Sequence, residues 1–228
     1  MSTFLYGANV QANGIRQHYL RYGGKGPALI LIPGITSPAI TWGFVAERLG
    51  TRFDTYVLDV RGRGLSSTGP QLDYSADTCA EDIGAFADAL GLDSYDLVGH
   101  SMGARFAVHS AAKHPQGVNR VVLIDPPVSG PGRREYPSKL PWYVDSIRQS
   151  RVGMDADAMR AFCATWTVEQ LQLRAEWLHT CYEPAIVRAF NDFHTVDFHQ
   201  HLPKLKAPAL LMVAGRGGVI LDEDIAEI

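Results

Sequence analysis

The stretch Tyr95-Asp96-Leu97-Val98-Gly99-His100-Ser101-Met102-Gly103 admits few folds. An apolar run, Leu97-Val98, stops at a Gly-x-Ser-x-Gly turn. A helical pattern follows at once, from Met102 to Lys113, rich in Ala and with Phe106 and Val108 apolar. Strand, sharp turn and helix is the setting in which that pentapeptide presents a nucleophilic serine. Ser101 must then hold a strained backbone conformation, with its hydroxyl above the strand end. A side chain at 99 or 103 would collide with the neighbouring strand and helix, so both positions are Gly. The serine also stands at a helix N-terminus. There the free N–H of Met102 and the local dipole favour a developing negative charge.

The rest of the chain supplies the alternation such a turn needs. Residues 4–10 and 15–22 read as strands joined at Ala12-Asn13-Gly14, where Asn-Gly provides positive φ angles. Ala28 to Ile32 is a continuous apolar run, as in a strand buried on both faces of a parallel sheet. It ends in Pro33-Gly34-Ile35-Thr36-Ser37, a loop placed where a second oxyanion donor belongs. The N–H of Ile35 is the candidate, paired with that of Met102. Residues 41–49 predict a short amphipathic helix, and Tyr56 to Val60 another buried strand. In the following loop Arg61 and Arg63 are expected to pin the turn by ion pairing, with no part in the chemistry. Residues 75–90 make a helix with Ile83, Phe86, Ala87 and Leu90 apolar. Residues 118–124 are the next buried strand.

Then the texture changes. From Pro126 to about Leu202 there is no buried strand. Pro126, Pro127, Pro131 and Pro137 mark an irregular stretch, followed by helical patterns at about 155–165, 168–181 and 184–194. Aromatic residues gather here: Trp142, Tyr143, Phe162, Trp166, Trp177, Tyr182, Phe190 and Phe193. A segment so placed reads as a lid above Ser101. Ala209 to Ala214 resumes the sheet, and Asp222 to Ile228 begins a helix. The expected organisation is an α/β core over 1–125, a helical cap over 126–202 and the core again over 203–228. The sheet is mostly parallel and doubly wound.

Composition narrows the function classes. With 228 residues, 46% hydrophobic and 20% charged, the chain can bury a sizeable core. A net charge of −3 asks for neither nucleic acid nor an anionic membrane. Three cysteines, Cys79, Cys163 and Cys181, sit at unrelated spacings; this fits neither a disulfide framework nor a zinc site, and suits a reducing cytoplasm. There is no signal-peptide pattern at the start and no apolar run of membrane-spanning length. Oligomeric state is not legible.

Pro33-Gly34, the Asp59–Ser66 loop, Gly99-His100-Ser101-Met102-Gly103 and Leu123-Ile124-Asp125-Pro126, in that order, resemble the α/β-hydrolase superfamily along the whole chain. The resemblance implies an α/β-hydrolase fold with a helical lid inserted after the sixth strand. Within that superfamily, residues 33–42, 125–134, 142–147 and 214–220 are similar to N-formyl-amide deformylases of bacterial nicotinate degradation, a branch of aromatic compound catabolism. This implies a serine amidohydrolase acting on the C–N bond of a linear amide. It would release formate from a small anionic substrate, with no metal and no organic cofactor. The pocket is then expected to involve Gly34, His100, Trp42 and Tyr143. The anionic substrate calls for a cation or several donors, for which Arg133, Arg134 and Arg174 are candidates.

A serine nucleophile needs a base, and the base an orienting acid. Most family members carry the acid just after the strand that here is 209–214. Gly215-Arg216-Gly217-Gly218 offers none, and no carboxylate follows until Asp222. Asp125 closes the preceding strand, one helix and one strand beyond Ser101, so the two can be neighbours at one sheet edge. The deformylase resemblance implies that alternative acid position. In the family the His follows one more strand after the helix that here begins at Asp222. The chain therefore reads as lacking its last strand, its catalytic His and its final helix, with the His expected beyond residue 228. Of the eight histidines, His100 lies inside the turn, where it lines the pocket or packs. His109 and His114 lie on the following helix, pointing away, and His18 in an early strand. His179, His194, His199 and His201 are expected at the surface of the lid or its exit. Without the missing His, efficient turnover is not expected, and 209–214 would form an open sheet edge. Two rival readings stay open: an esterase, lactonase or C–C hydrolase on the same scaffold, and a hydrolase-fold protein that binds a small ligand without cleaving it.

Overall fold

A computed structural model describes residues 1–215 and 218–228; Arg216 and Gly217, part of the acid-free turn and of the 214–220 resemblance, lie outside the described residues. Seven strands form one sheet in the order β1-β2-β4-β3-β5-β6-β7. β1 (Phe4–Ala12) and β2 (Ile15–Tyr22) make the antiparallel hairpin, turning through Asn13 at φ 45° and Gly14 at φ 73°. β2 runs antiparallel to β4 (Asp54–Leu58), while β4, β3 (Ala28–Ile32), β5 (Tyr95–His100), β6 (Val118–Ile124) and β7 (Ala209–Met212) are parallel neighbours.

The central strands alternate their apolar side chains between two cores. Ile30 and Ile32 of β3 pack with Leu97, Phe86 and Phe106, on the side of α2 (Ala76–Ala89) and α3 (Met102–Lys113). Leu29 and Leu31 face the other way, to Leu20, Val57, Val98 and Ala46 of α1 (Gly43–Leu49). An all-apolar strand is what this two-sided burial selects.

Several sequence expectations shift. β4 begins and ends two residues before the expected 56–60, so Asp59 and Val60 belong to the loop. β6 is not buried on both faces: Val121 and Leu123 are covered by the α3 layer, whereas Asn119 and Arg120 are exposed and Val122 and Ile124 only half covered. β7 stops at Met212, with its apolar residues largely in solvent. Between β6 and β7 lie α4 (Leu140–Arg151), α5 (Ala156–Met159), α6 (Val168–Trp177) and α7 (Glu183–Thr195). α4 falls in the stretch expected to be irregular; its Pro141 sits in the first turn, where a missing N–H costs no helix bond. The expected helix at 155–165 shrinks to one turn, and 168–181 divides into α6 and a 3-10 turn at Leu178–Thr180. α8 (Asp222–Glu227) follows β7. No helix among the described residues is long and apolar enough to cross a membrane.

The segment between β6 and β7 is fastened to the core by buried arginine. Arg105 of α3 donates to the carbonyls of Pro127, Ser129, Asp192 and Val196, joining the chain after β6 to the end of α7. Burial lowers its guanidinium pKa to about 10.

Candidate active site

The turn between β5 and α3 has the strain its sequence requires. Ser101 sits at φ 53° and ψ −120°, a region costly for any residue but Gly. Its N–H is held by the carbonyl of Ile124 on β6, at 2.8 Å. A Cβ on Gly99 would lie 2.5 Å from Cα of Ala104, and one on Gly103 would lie 2.6 Å from the Pro33 carbonyl oxygen. These close approaches between strand, helix and the β3 loop fix both glycines.

β5 and β6 pair with His100 opposite Ile124, so Ser101 and Asp125 leave the same edge of the sheet side by side. Asp125 is itself strained, at φ 49°. Its N–H donates to Met212, and among the described residues its carboxylate accepts only from the N–H of Ala214, at 3.3 Å. Burial raises its pKa, offset by that one donor. A half-buried carboxylate so short of donors is suited to receive an N–H from an imidazole.

Ser101 and Asp125 open into one cavity of about 180 Å³, which suits a small molecule. The loop after β3 supplies Gly34, Ile35, Thr36 and Ser37. The segment between β6 and β7 supplies Tyr136, Trp142, Tyr143, Cys163, Trp166 and Arg174. Val219 and His100 complete the wall. Among the described residues neither the N–H of Ile35 nor that of Met102 has a hydrogen-bond acceptor, which leaves both available to an oxyanion.

The loop that carries Ile35 is braced from below. Arg63 is fully buried; its Nε donates to the Ile35 carbonyl at 3.0 Å and its Nη1 to the Arg61 carbonyl at 2.8 Å. Arg61 forms the expected ion pair, with Asp82, but Arg63 forms none among the described residues: carbonyl oxygens satisfy it instead. Asp59 accepts from His18 at 2.7 Å and from the N–H groups of Ala39 and Leu65, tying its own loop to β2 and to the segment after β3.

The sequence candidates divide accordingly. Gly34, His100 and Tyr143 line the cavity. Trp42 does not; its ring packs on His100, ring centres 5.0 Å apart, and it is His100 that takes the wall position. Trp142 takes a wall position instead. Arg133 and Arg134 are outside the cavity, paired with Glu227 and Asp224 of α8, and only Arg174 lines it. His199 and His201 are half-buried rather than exposed: both ring nitrogens of His199 and Nε2 of His201 are covered, with Phe198 beside the first ring and His109 stacked on the second.

Tyr136, Thr36 and Trp166 had no assigned pocket role in the sequence. The Tyr136 hydroxyl meets that of Tyr143 at 3.2 Å, and burial, then Tyr143, pushes its pKa well up, so it stays a donor. Burial lowers His100 to about 4, which keeps its ring neutral. His100 has an unpartnered Nδ1 against Gly34, and no hydrogen bond joins it to Ser101 or Asp125.

Comparison with known proteins agrees with this geometry. The family model described as alpha/beta hydrolase fold matches residues 27–226. The chain is 78% identical over all 228 residues to the N-formylmaleamate deformylase of Pseudomonas putida KT2440, spanning 85% of that protein. A crystal structure of the N-formylmaleamic acid deformylase of Pseudomonas putida S16, a serine-to-alanine variant, superposes with a TM-score of 0.94 at 55% identity, over 97% of this chain and 87% of that one. E-2-(acetamidomethylene)succinate hydrolase superposes at 0.76 with 25% identity, over 98% of this chain and 85% of that one. A strained serine between a parallel strand and a helix, a sheet of this order and a family match over nearly the whole sequence make the chain a member of the alpha/beta hydrolase fold family.

Proposed function

We propose that the protein hydrolyses N-formylmaleamate to maleamate and formate, and the observation that carries this is the 78% identity to the Pseudomonas putida deformylase over all 228 residues. The cavity supports it: a strained Ser101, a donor-poor Asp125 and Ile35 line one small space, and Met102, whose N–H is also free, follows Ser101 directly. Ser101 Oγ attacks the formyl carbon, and the Ile35 and Met102 N–H groups receive the negative oxygen. An imidazole takes the serine proton and passes it to the amide nitrogen as the C–N bond breaks, freeing maleamate. Water, deprotonated by the same imidazole, then attacks formyl-Ser101; formate leaves and the serine regains its proton. Asp125 orients the imidazole by accepting its other N–H. No histidine of the described residues is bonded into that position. The helices between β6 and β7 act as the cap that keeps bulk water from the ester intermediate.

The test is a substrate panel read by formate and acid release: N-formylmaleamate beside simple esters and enol-lactones. Turnover of N-formylmaleamate well above the esters and lactones supports the assignment. Turnover of the esters or lactones with no formate from N-formylmaleamate would replace it by another hydrolase chemistry. Ligand-induced stabilisation without product from any of them would make the chain a binding protein.

A further inference from the structure

Arg174 is a cation in the wrong place for a structural residue. It stands on α6, is 3% exposed, and forms no ion pair among the described residues. Its Nη1 donates to the Thr36 carbonyl at 2.9 Å and its Nη2 to the Thr36 hydroxyl at 2.8 Å. Its Nε–H is buried with no acceptor. Three of five N–H bonds are therefore unused. The guanidinium is stacked on Trp166, with Cζ 5.5 Å from the ring centre, which fixes its plane. Burying a guanidinium without a counter-charge costs several kcal/mol unless an anion is supplied.

The other buried arginines answer that cost within the protein. Arg61 has the Asp82 carboxylate, and Arg105 has four carbonyl groups. Arg63 is likewise surrounded by carbonyl oxygens and does not line the cavity. Arg174 alone of these four lines the cavity that holds Ser101. The remaining wall beside it is aromatic or weakly polar, from Trp142, Trp166, Tyr143 and Cys163.

We infer that Arg174, seated on Thr36 and stacked on Trp166, forms the subsite for the substrate's carboxylate, and so selects small amides that carry a carboxylate a few bonds from the scissile carbonyl. The inference rests on the deformylase reading for its substrate. A cavity of about 180 Å³ lets one small molecule reach both ends, its carboxylate at Arg174 and its formyl group at Ser101. The subsite is also wired to catalysis. Thr36 follows Ile35 directly, so an anion that fixes Arg174 also fixes the loop carrying one oxyanion donor.

The experiment compares N-formylmaleamate with its uncharged methyl ester, on the full-length wild-type protein with its base histidine, and on Arg174→Met and Arg174→Lys in the same full-length protein. The expected wild type prefers the carboxylate on the order of 10²-fold or more in kcat/KM. Arg174→Met should lose that preference, falling much further on the anionic substrate, mainly through KM, than on the methyl ester; Arg174→Lys should restore part of the preference. Equal losses on both substrates would mean that Arg174 only braces the loop, and would overturn the subsite. Should Arg174→Met fail to fold, the wild-type comparison decides: equal kcat/KM for acid and ester overturns the subsite without any variant. Should the wild type cleave neither substrate, the deformylase reading fails by itself. The subsite is then judged by calorimetric binding of maleamate against its uncharged diamide, maleamide. Preference for maleamate upholds it, and equal or absent binding of the two overturns it.

Discussion

At the scale of single residues, Ser101, Gly99 and Gly103 form one backbone solution. The serine occupies positive φ only because two neighbouring positions carry no Cβ. Gly103→Ala should therefore destabilise the protein by roughly 3 kcal/mol, since its methyl would displace the β3 loop backbone rather than a side chain; chemical denaturation would measure it. Asp125→Asn should keep the fold and lower deformylation by about 10⁴-fold, because an amide cannot hold an imidazole in the required tautomer; steady-state formate release is the readout. His100 gives a pH signature. Its pKa in the fold is lowered to about 4 by burial, against an ordinary value of 6.5. Between those values the unfolded chain binds more protons, so stability falls as pH drops from 6.5 towards 4. The loss in Tm between pH 7 and pH 5 should be larger for the wild type than for His100→Gln.

At the scale of elements, the central strands and the elbow helix were legible because each is an uninterrupted pattern ended by Gly or Pro. α4 was not. Its apolar positions are mixed with Arg, Gln and Ser, and four prolines precede it, so the segment looks like loop until its Tyr143, Val144 and Ile147 are seen packed against neighbouring helices. The pocket followed the same divide. Gly34, His100 and Tyr143 sit within or beside recognisable motifs, whereas Arg174 meets Thr36 across 138 residues of chain, a contact no local spacing announces. Trp142 rather than Trp42 lines the cavity for the same reason: which tryptophan faces it depends on packing between elements. Arg105 is the main tie between the elbow helix and the segment after β6. Arg105→Met should leave four buried carbonyl groups short of a donor and cost about 3–5 kcal/mol, with proteolysis starting within 126–202; a Tm measurement and limited proteolysis would check both.

At the scale of the whole molecule, the sheet order leads every candidate group to one edge. The parallel strands β3, β5, β6 and β7 end where Ile35, Ser101, Asp125 and Ala214 stand, and the helices between β6 and β7 supply the opposite wall. On the far flank of β7 the sheet presents apolar side chains to solvent, Leu210 at 57% and Met212 at 48% exposure. The central claim is that Ser101 is the nucleophile of a deformylation, and its most direct measurement is formate release from N-formylmaleamate by the full-length wild-type protein, with its base histidine, and by Ser101→Ala under the same conditions. The expected result is one formate for each substrate consumed by the wild type, and a fall of at least about 10³-fold in the variant at unchanged Tm. Formate release by a folded Ser101→Ala protein at the wild-type rate would contradict it.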